Sequence, residues 1–285
     1  MHLPRTIGVL VGYPVYRSNT LSHILRSTFQ GILASAKEYN CNILIGCGLD
    51  SPLHPDQRIS AGPVLSPQTS FVPVGSWNTD GLIVLPSVRP YFFSQYLDEL
   101  NLNGFPMVFT QLDNRGTSVV LDSMGGLFQA VEHLWQHGHR RIAYIAGFKN
   151  GIGDSLLRLE GFRTAMKSFG SVADPNLIAY GEHSVSGGRA AMAQLLNYSQ
   201  SFTALIVGNF ESAVGAMQVL KEAGYRVPED LAFISVNDPV AADAQIPPFT
   251  TVHLQTFEQG YEAVDLLVKT IEGNPPVPKT VQIPA

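Results

Sequence analysis

Polar and aromatic residues recur just after short apolar runs: Tyr13 and Tyr16 after TIGVLVG, Asp122 after SVVL, Asn209 after ALIVG, and Asn237, beside Asp238, after FISV. Arg158, in RLEGF, falls early in the amphipathic segment that follows RRIAYIAG. If the apolar runs are strands of parallel sheets, these residues gather at the carboxyl edges, where ligands of open α/β sheets sit. A guanidinium, a carboxylate, two amides and two phenols from separate elements suit a small polar ligand that is held by hydrogen bonds. Taken singly, each is an ordinary loop or cap residue, so the reading rests on their convergence.

Chemistry of other kinds lacks the residues it needs. No phosphate-loop Lys-Ser/Thr signature, no Gly-x-Gly-x-x-Gly after the first strand and no Gly-x-Ser-x-Gly elbow occurs. The edge residues include no nucleophile and base at a workable spacing, so the chain is not expected to be an enzyme or to need a cofactor. GFKNGIGD, residues 147–154, is glycine-rich but lacks the lysine and hydroxyl that a phosphate cradle uses. His133 and His137 share a helical face at i, i+4 spacing, the geometry of a metal pair. Gly138 should end that helix and turn His139 away, leaving His137 where the helix dipole favours a cation, so no metal is expected.

The elements that would position the edge residues follow from periodicity. Residues 6–12, 42–47, 81–85, 106–110 and 118–121 read as buried strands, and 141–146, 177–180, 204–207 and 231–235 form a second series. Apolar stripes at three- and four-residue spacing lie between many of them, as in Leu21, Ile24, Leu25, Phe29 and Ile32. Helices are expected near 155–169, 186–197 and 212–223, the last stopped by Gly224, and another over 257–271. Strand then helix, repeated, implies parallel sheets covered on both faces. Residues 51–77 hold Pro52, Pro55, Pro63, Pro67 and Pro73 where a crossover would place a helix, and a long irregular loop is expected there.

Composition narrows the class. The 285 residues carry 18 Lys and Arg against 23 Asp and Glu, a net charge of −5, and 45% are hydrophobic. That composition fills sizeable cores, and the length favours two lobes. The acidic balance, with Arg140 and Arg141 as the densest basic spot, argues against direct DNA binding. No apolar run is long enough to span a bilayer and the amino terminus carries no secretory pattern, so a cytoplasmic location is expected. Cys41 and Cys47, six residues apart in one extended run, lie too far apart for a disulfide.

The assembled motifs resemble the effector-binding core of the LacI/GalR repressor family, whose fold is that of type I periplasmic binding proteins. The resemblance runs through TIGVLVG, NTDGLIVLPS, VVLDSMGG, RLEGFRTAM and, most specifically, the stretch from Thr203 to Asp238. It implies two doubly wound parallel-sheet lobes joined by three crossovers, with effector between them. On that pattern the N-terminal lobe is residues 1–138 plus 256–273, and the C-terminal lobe 139–255 plus 274–285. Arg158 looks like the arginine that forks onto effector oxygens, Asn209 the amide that pairs with the ligand, and Asp122 the carboxylate near the pocket floor. His183, in YGEHS, stands where family members often carry a stacking aromatic.

Departures from the family pattern bear on the ligand. Asn237 stands where sugar-binding members usually have Asp, Phe210 replaces an acid, and Leu254 a polar residue. A sugar, polyol, nucleoside or carboxylate therefore fits the expectation of a small polar effector. The resemblance also implies a homodimer. With the first strand read at Thr6, this chain is not expected to carry a helix-turn-helix of its own, and an output or DNA-binding domain is expected elsewhere. The alternatives are a solute receptor for transport and a dimerisation scaffold with a degenerate pocket.

Overall fold

The computed structural model describes residues 4–11, 23–47, 74–85, 94–149, 153–198, 201–237, 239–275 and 279–285. It divides the chain into two compact α/β units. The first comprises residues 1–121 and 255–283, and the second 122–254 and 284–285, so the chain passes between them three times.

In the first unit the order is β1 (Thr6–Val11), α1 (His23–Glu38), β2 (Asn42–Cys47), β3 (Gly81–Val84), α2 (Ser94–Leu102), β4 (Met107–Phe109) and β5 (Thr117–Leu121). The second unit contributes α3 (Ser123–Gln136), β6 (Ile142–Ala146), α4 (Asp154–Ser168), β7 (Ile178–Tyr180), α5 (Val185–Leu196), β8 (Ala204–Val207), α6 (Phe210–Glu222), β9 (Ala232–Val236), α7 (Pro239–Asp243) and β10 (Thr250–Val252). The chain then returns to the first unit with α8 (Thr256–Ile271) and β11 (Thr280–Ile283).

The first sheet runs β11-β5-β4-β3-β1-β2 and the second β10-β9-β8-β6-β7, and every pair formed is parallel. Alternation along β1 supplies two cores at once. Ile7, Val9 and Val11 pack with Phe29 and Ile32 of α1 and Val264 and Leu267 of α8, while Leu10 packs on the opposite face with Leu97 and Leu100 of α2. In the second unit Ala143, Ile145, Leu205, Val207 and Phe233 meet the inner faces of α5 and α6. On the other face Tyr144 of β6 stacks on Phe162 of α4, with ring centroids 4.8 Å apart.

Two departures from the sequence reading stand out. The family pattern places residues 123–136 in the N-terminal lobe, whereas α3 belongs to the second unit, where Gly161 lets α4 approach the Met124 backbone and Phe128 packs on Phe169. The same pattern places residues 274–285 in the C-terminal lobe, whereas β11 pairs with β5 in the first sheet, from Thr280↔Ser118 to Ile283↔Leu121. Edge pairing supplies this strand with its backbone partners, which a proline-rich sequence context conceals. Most of the proline-rich segment, residues 51–73, lies outside the described residues.

One polar anchor holds the first core together. Gln259 of α8 is buried, and its Nε2 donates to the carbonyls of Thr110 at 2.9 Å and Val119 at 2.8 Å. Gln259→Leu keeps the volume but withdraws both donors from buried carbonyls. A loss of about 2 to 4 kcal/mol is expected, read as a lowered urea midpoint with an unchanged slope.

Candidate functional site

The carboxyl edge of the second sheet brings four of the expected residues into one neighbourhood. Arg158 sits one turn into α4 and is 5% exposed. Its Nη1 donates to the Gly208 carbonyl at 2.7 Å, immediately past the end of β8. Its Nη2 lies 4.0 Å from Asp154, too far for a hydrogen bond, and its Nε has no partner among the described residues. A buried guanidinium that satisfies one edge and leaves another bare is costly unless something else completes it.

Asn209 follows Gly208 and is 1% exposed. It occupies the N-cap of α6, yet its side chain makes no capping bond. Instead Nδ2 donates to Glu211 Oε2 at 2.8 Å, which fixes the amide orientation and turns Oδ1 toward the His183 ring without a well-formed hydrogen bond. Phe210, expected only as a lost acid, is a core residue packed near Phe249, and the acid that matters stands one residue later at Glu211.

His183 is carried by the turn after β7, where Glu182 and His183 both adopt positive φ, 52° and 51°. Two successive non-glycine residues in the left-handed region are strained, and such strain persists where packing over-determines it. Here Ser212 Oγ donates to the Gly181 carbonyl at 3.1 Å, Ser184 caps α5 through Gly187 N at 3.0 Å, and Phe148 meets the His183 ring edge-on at 5.2 Å. Gly147 has no room for a side chain, because a Cβ there would overlap His183 Nε2 and Ser155 Oγ. Burial first, and then the Arg158 charge, push the His183 pKa down from 6.5 to about 4, while Asn209 pulls it the other way. The ring is therefore neutral at pH 7.

Asn237 directly follows β9, 2% exposed and at φ 68°. The β8–β9 register, Val207↔Ser235, continues to bring residue 237 level with 209. The Leu254 N–H donates to Asn237 Oδ1 at 3.3 Å, so the amide nitrogen faces away, and it has no partner among the described residues. The edge thus offers two buried donors, Arg158 Nε and Asn237 Nδ2, and one acceptor, Asn209 Oδ1.

The remaining expectations divide. Asp122 is half-buried and engaged as the N-cap of α3, its Oδ1 accepting from Gly125 N at 2.9 Å. Tyr13 and Tyr16 lie outside the described residues. The histidines of α3 behave as the helix-stop reading required. His137 is the C-cap with its ring 4.4 Å from that of His133, Gly138 follows at φ 88°, and His139 turns to Thr203 Oγ1 at 2.9 Å. Among the described residues no cluster of three or more His, Cys, Asp or Glu could hold a metal, and no helix is long and apolar enough to cross a membrane. Sequence reasoning missed Glu211, Phe148 and Ser155, and only the i+2 spacing of Glu211 from an N-cap amide hinted at the first.

Comparison with known proteins gives the same frame. The family described as "Periplasmic binding protein-like domain" matches residues 131–285. The transcriptional regulator CelR of Thermobifida fusca is 34% identical over 201 residues, 69% of this chain and 58% of that protein. The transcriptional repressor CytR of Escherichia coli K12 is 33% identical over 197 residues, 68% of this chain and 57% of that one. The chain thus spans less than two thirds of the length of these relatives. Among solved structures, a CelR–cellobiose complex matches with TM-score 0.80 at 27% identity, covering 99% of this chain and 83% of that one. A LacI-family regulatory protein from Chloroflexus aggregans matches with TM-score 0.79 at 26% identity, covering 98% of this chain and 95% of that one. With two parallel-sheet units, three passages between them and these relatives, the chain belongs to the periplasmic binding protein-like domain family, in its LacI/GalR-type effector-core form.

Proposed function

We propose that this chain is the effector-sensing part of a LacI-type transcriptional regulator, binding a small polar molecule at the edge formed by Arg158, His183, Asn209 and Asn237. The observation that carries this is the set of buried polar atoms there with no partner among the described residues: Arg158 Nε, Asn209 Oδ1 and Asn237 Nδ2. A native fold seldom leaves such groups unmet, and a ligand that meets them recovers their desolvation. The relative solved with cellobiose shows that a protein of this type takes a polar ligand. Tyr13, Tyr16 and Asp122 complete the contact set in this reading.

On this reading the effector draws the two units together, and the change is transmitted across a homodimer to a DNA-binding part of the whole regulator in the cytoplasm. Thermal unfolding against sugars, polyols, nucleosides and carboxylates tests it. A ligand at ~100 times its Kd adds about 2.7 kcal/mol of stability, which moves the midpoint by several degrees. The shift should disappear in Arg158→Ala. A folded, dimeric protein that responds to no member of the panel would favour a dimerisation scaffold instead.

A further inference from the structure

We propose that the effector is an anion that presents a pair of oxygens, as a carboxylate does, to the side edge of Arg158. The inference rests on the effector-site reading above and commits it to a charge. Three observations carry it. The Arg158 guanidinium spends Nη1 on the Gly208 carbonyl, which leaves its Nε and Nη2 as a parallel pair of donors along one edge. Such a pair fits two oxygens of one anionic group and is poorly used by a single hydroxyl.

The buried cation is also weakly compensated. Asp154, its nearest described acid, is 38% exposed and 4.0 Å from Nη2. Among the described residues no other carboxylate forms an ion pair with Arg158, and His183 contributes no charge at neutral pH. A neutral ligand would satisfy hydrogen bonds yet leave the charge buried, whereas an anion meets both demands.

Asn237 supplies the third observation. An aspartate there would present acceptors and a negative charge. Asn237 has its oxygen occupied by the Leu254 N–H and offers its Nδ2 instead. The position therefore brings no negative charge to the edge and points a donor into it, which an anion's oxygen can accept without repulsion.

Matched probes test this: glucuronate against glucose, galacturonate against galactose, gluconate against glucitol and benzoate against benzyl alcohol, with glucose 6-phosphate as the phosphate arm. Each is titrated by thermal shift and calorimetry at constant ionic strength. At least one acid is expected to bind more than tenfold tighter than its neutral partner. Arg158→Lys, which keeps the charge but loses the fork, should weaken that acid by tenfold or more. Asp154→Asn, which removes a competing carboxylate, should tighten it several-fold and leave neutral probes unmoved. Tighter binding of the phosphate than of every carboxylate assigns the anion to a phosphoryl group. Binding of neutral members with no gain from the acids overturns the charge assignment while the effector site stands. No binding by any probe to the folded protein overturns both.

Discussion

Gly215→Val is expected to lower the stability of the second unit by about 3 kcal/mol or more, and to remove the ligand response with it. The reason lies in the crossing of α5 and α6. A Cβ on Gly215 would overlap the Val185 carbonyl oxygen, and one on Gly188 would overlap the Ser212 carbonyl, so the helices touch backbone to backbone. No rotamer relieves a clash with backbone, and the helices must separate. Because α6 begins directly after Asn209, separation displaces the amide that faces the His183 ring. A shift of the thermal midpoint by roughly 6 to 12 °C follows from the size of the unit. Gly215→Ala should show a smaller loss in the same direction. A Gly215→Val protein with parental stability would mean that the helices can part at little cost.

The second large effect is a loss of stability in acid that traces to His183. Its pKa is about 4 in the folded chain against 6.5 ordinarily, because burial and the neighbouring Arg158 charge disfavour the imidazolium. A folded-state pKa below the unfolded one means that the unfolded chain takes up the proton first as pH falls. The contribution is therefore fully present above about pH 6.5 and is lost between there and about pH 4. The whole difference corresponds to about 3 kcal/mol, most of it gone by about pH 4.5. Urea midpoints across this range should fall steeply in the parent and less steeply in His183→Gln, whose side chain fills similar space without titrating. Parallel slopes for the two proteins would refute the assignment.

These effects depend on the structure to different degrees. The strands at 142–146 and 204–207 were legible from their apolar runs alone, since a strand buried on both faces must be apolar throughout. The helix stop at Gly138 was equally legible, because the left-handed conformation it adopts costs other residues more. With strands and their direction in hand, the sheet-edge rule picked out Arg158, Asn209 and Asn237 before any contact was known. His183 came only through the family resemblance, as its strained turn leaves no mark on residue spacing.

The tertiary structure decided the rest. That β11 belongs beside β5 is a pairing between segments more than 150 residues apart, and the exposed alternation of TVQI carries no trace of its partner. That α3 packs in the second unit is set by the close approach over Gly161, which spacing alone cannot distinguish from packing on the first sheet. Above all, sequence named the amides but not their polarity. Whether Asn237 offers an oxygen or a nitrogen depends on the Leu254 N–H, and Asn209 is turned by Glu211. Residue type sets which groups a site can hold, and only the neighbours that fold against them determine which atoms remain free for a ligand.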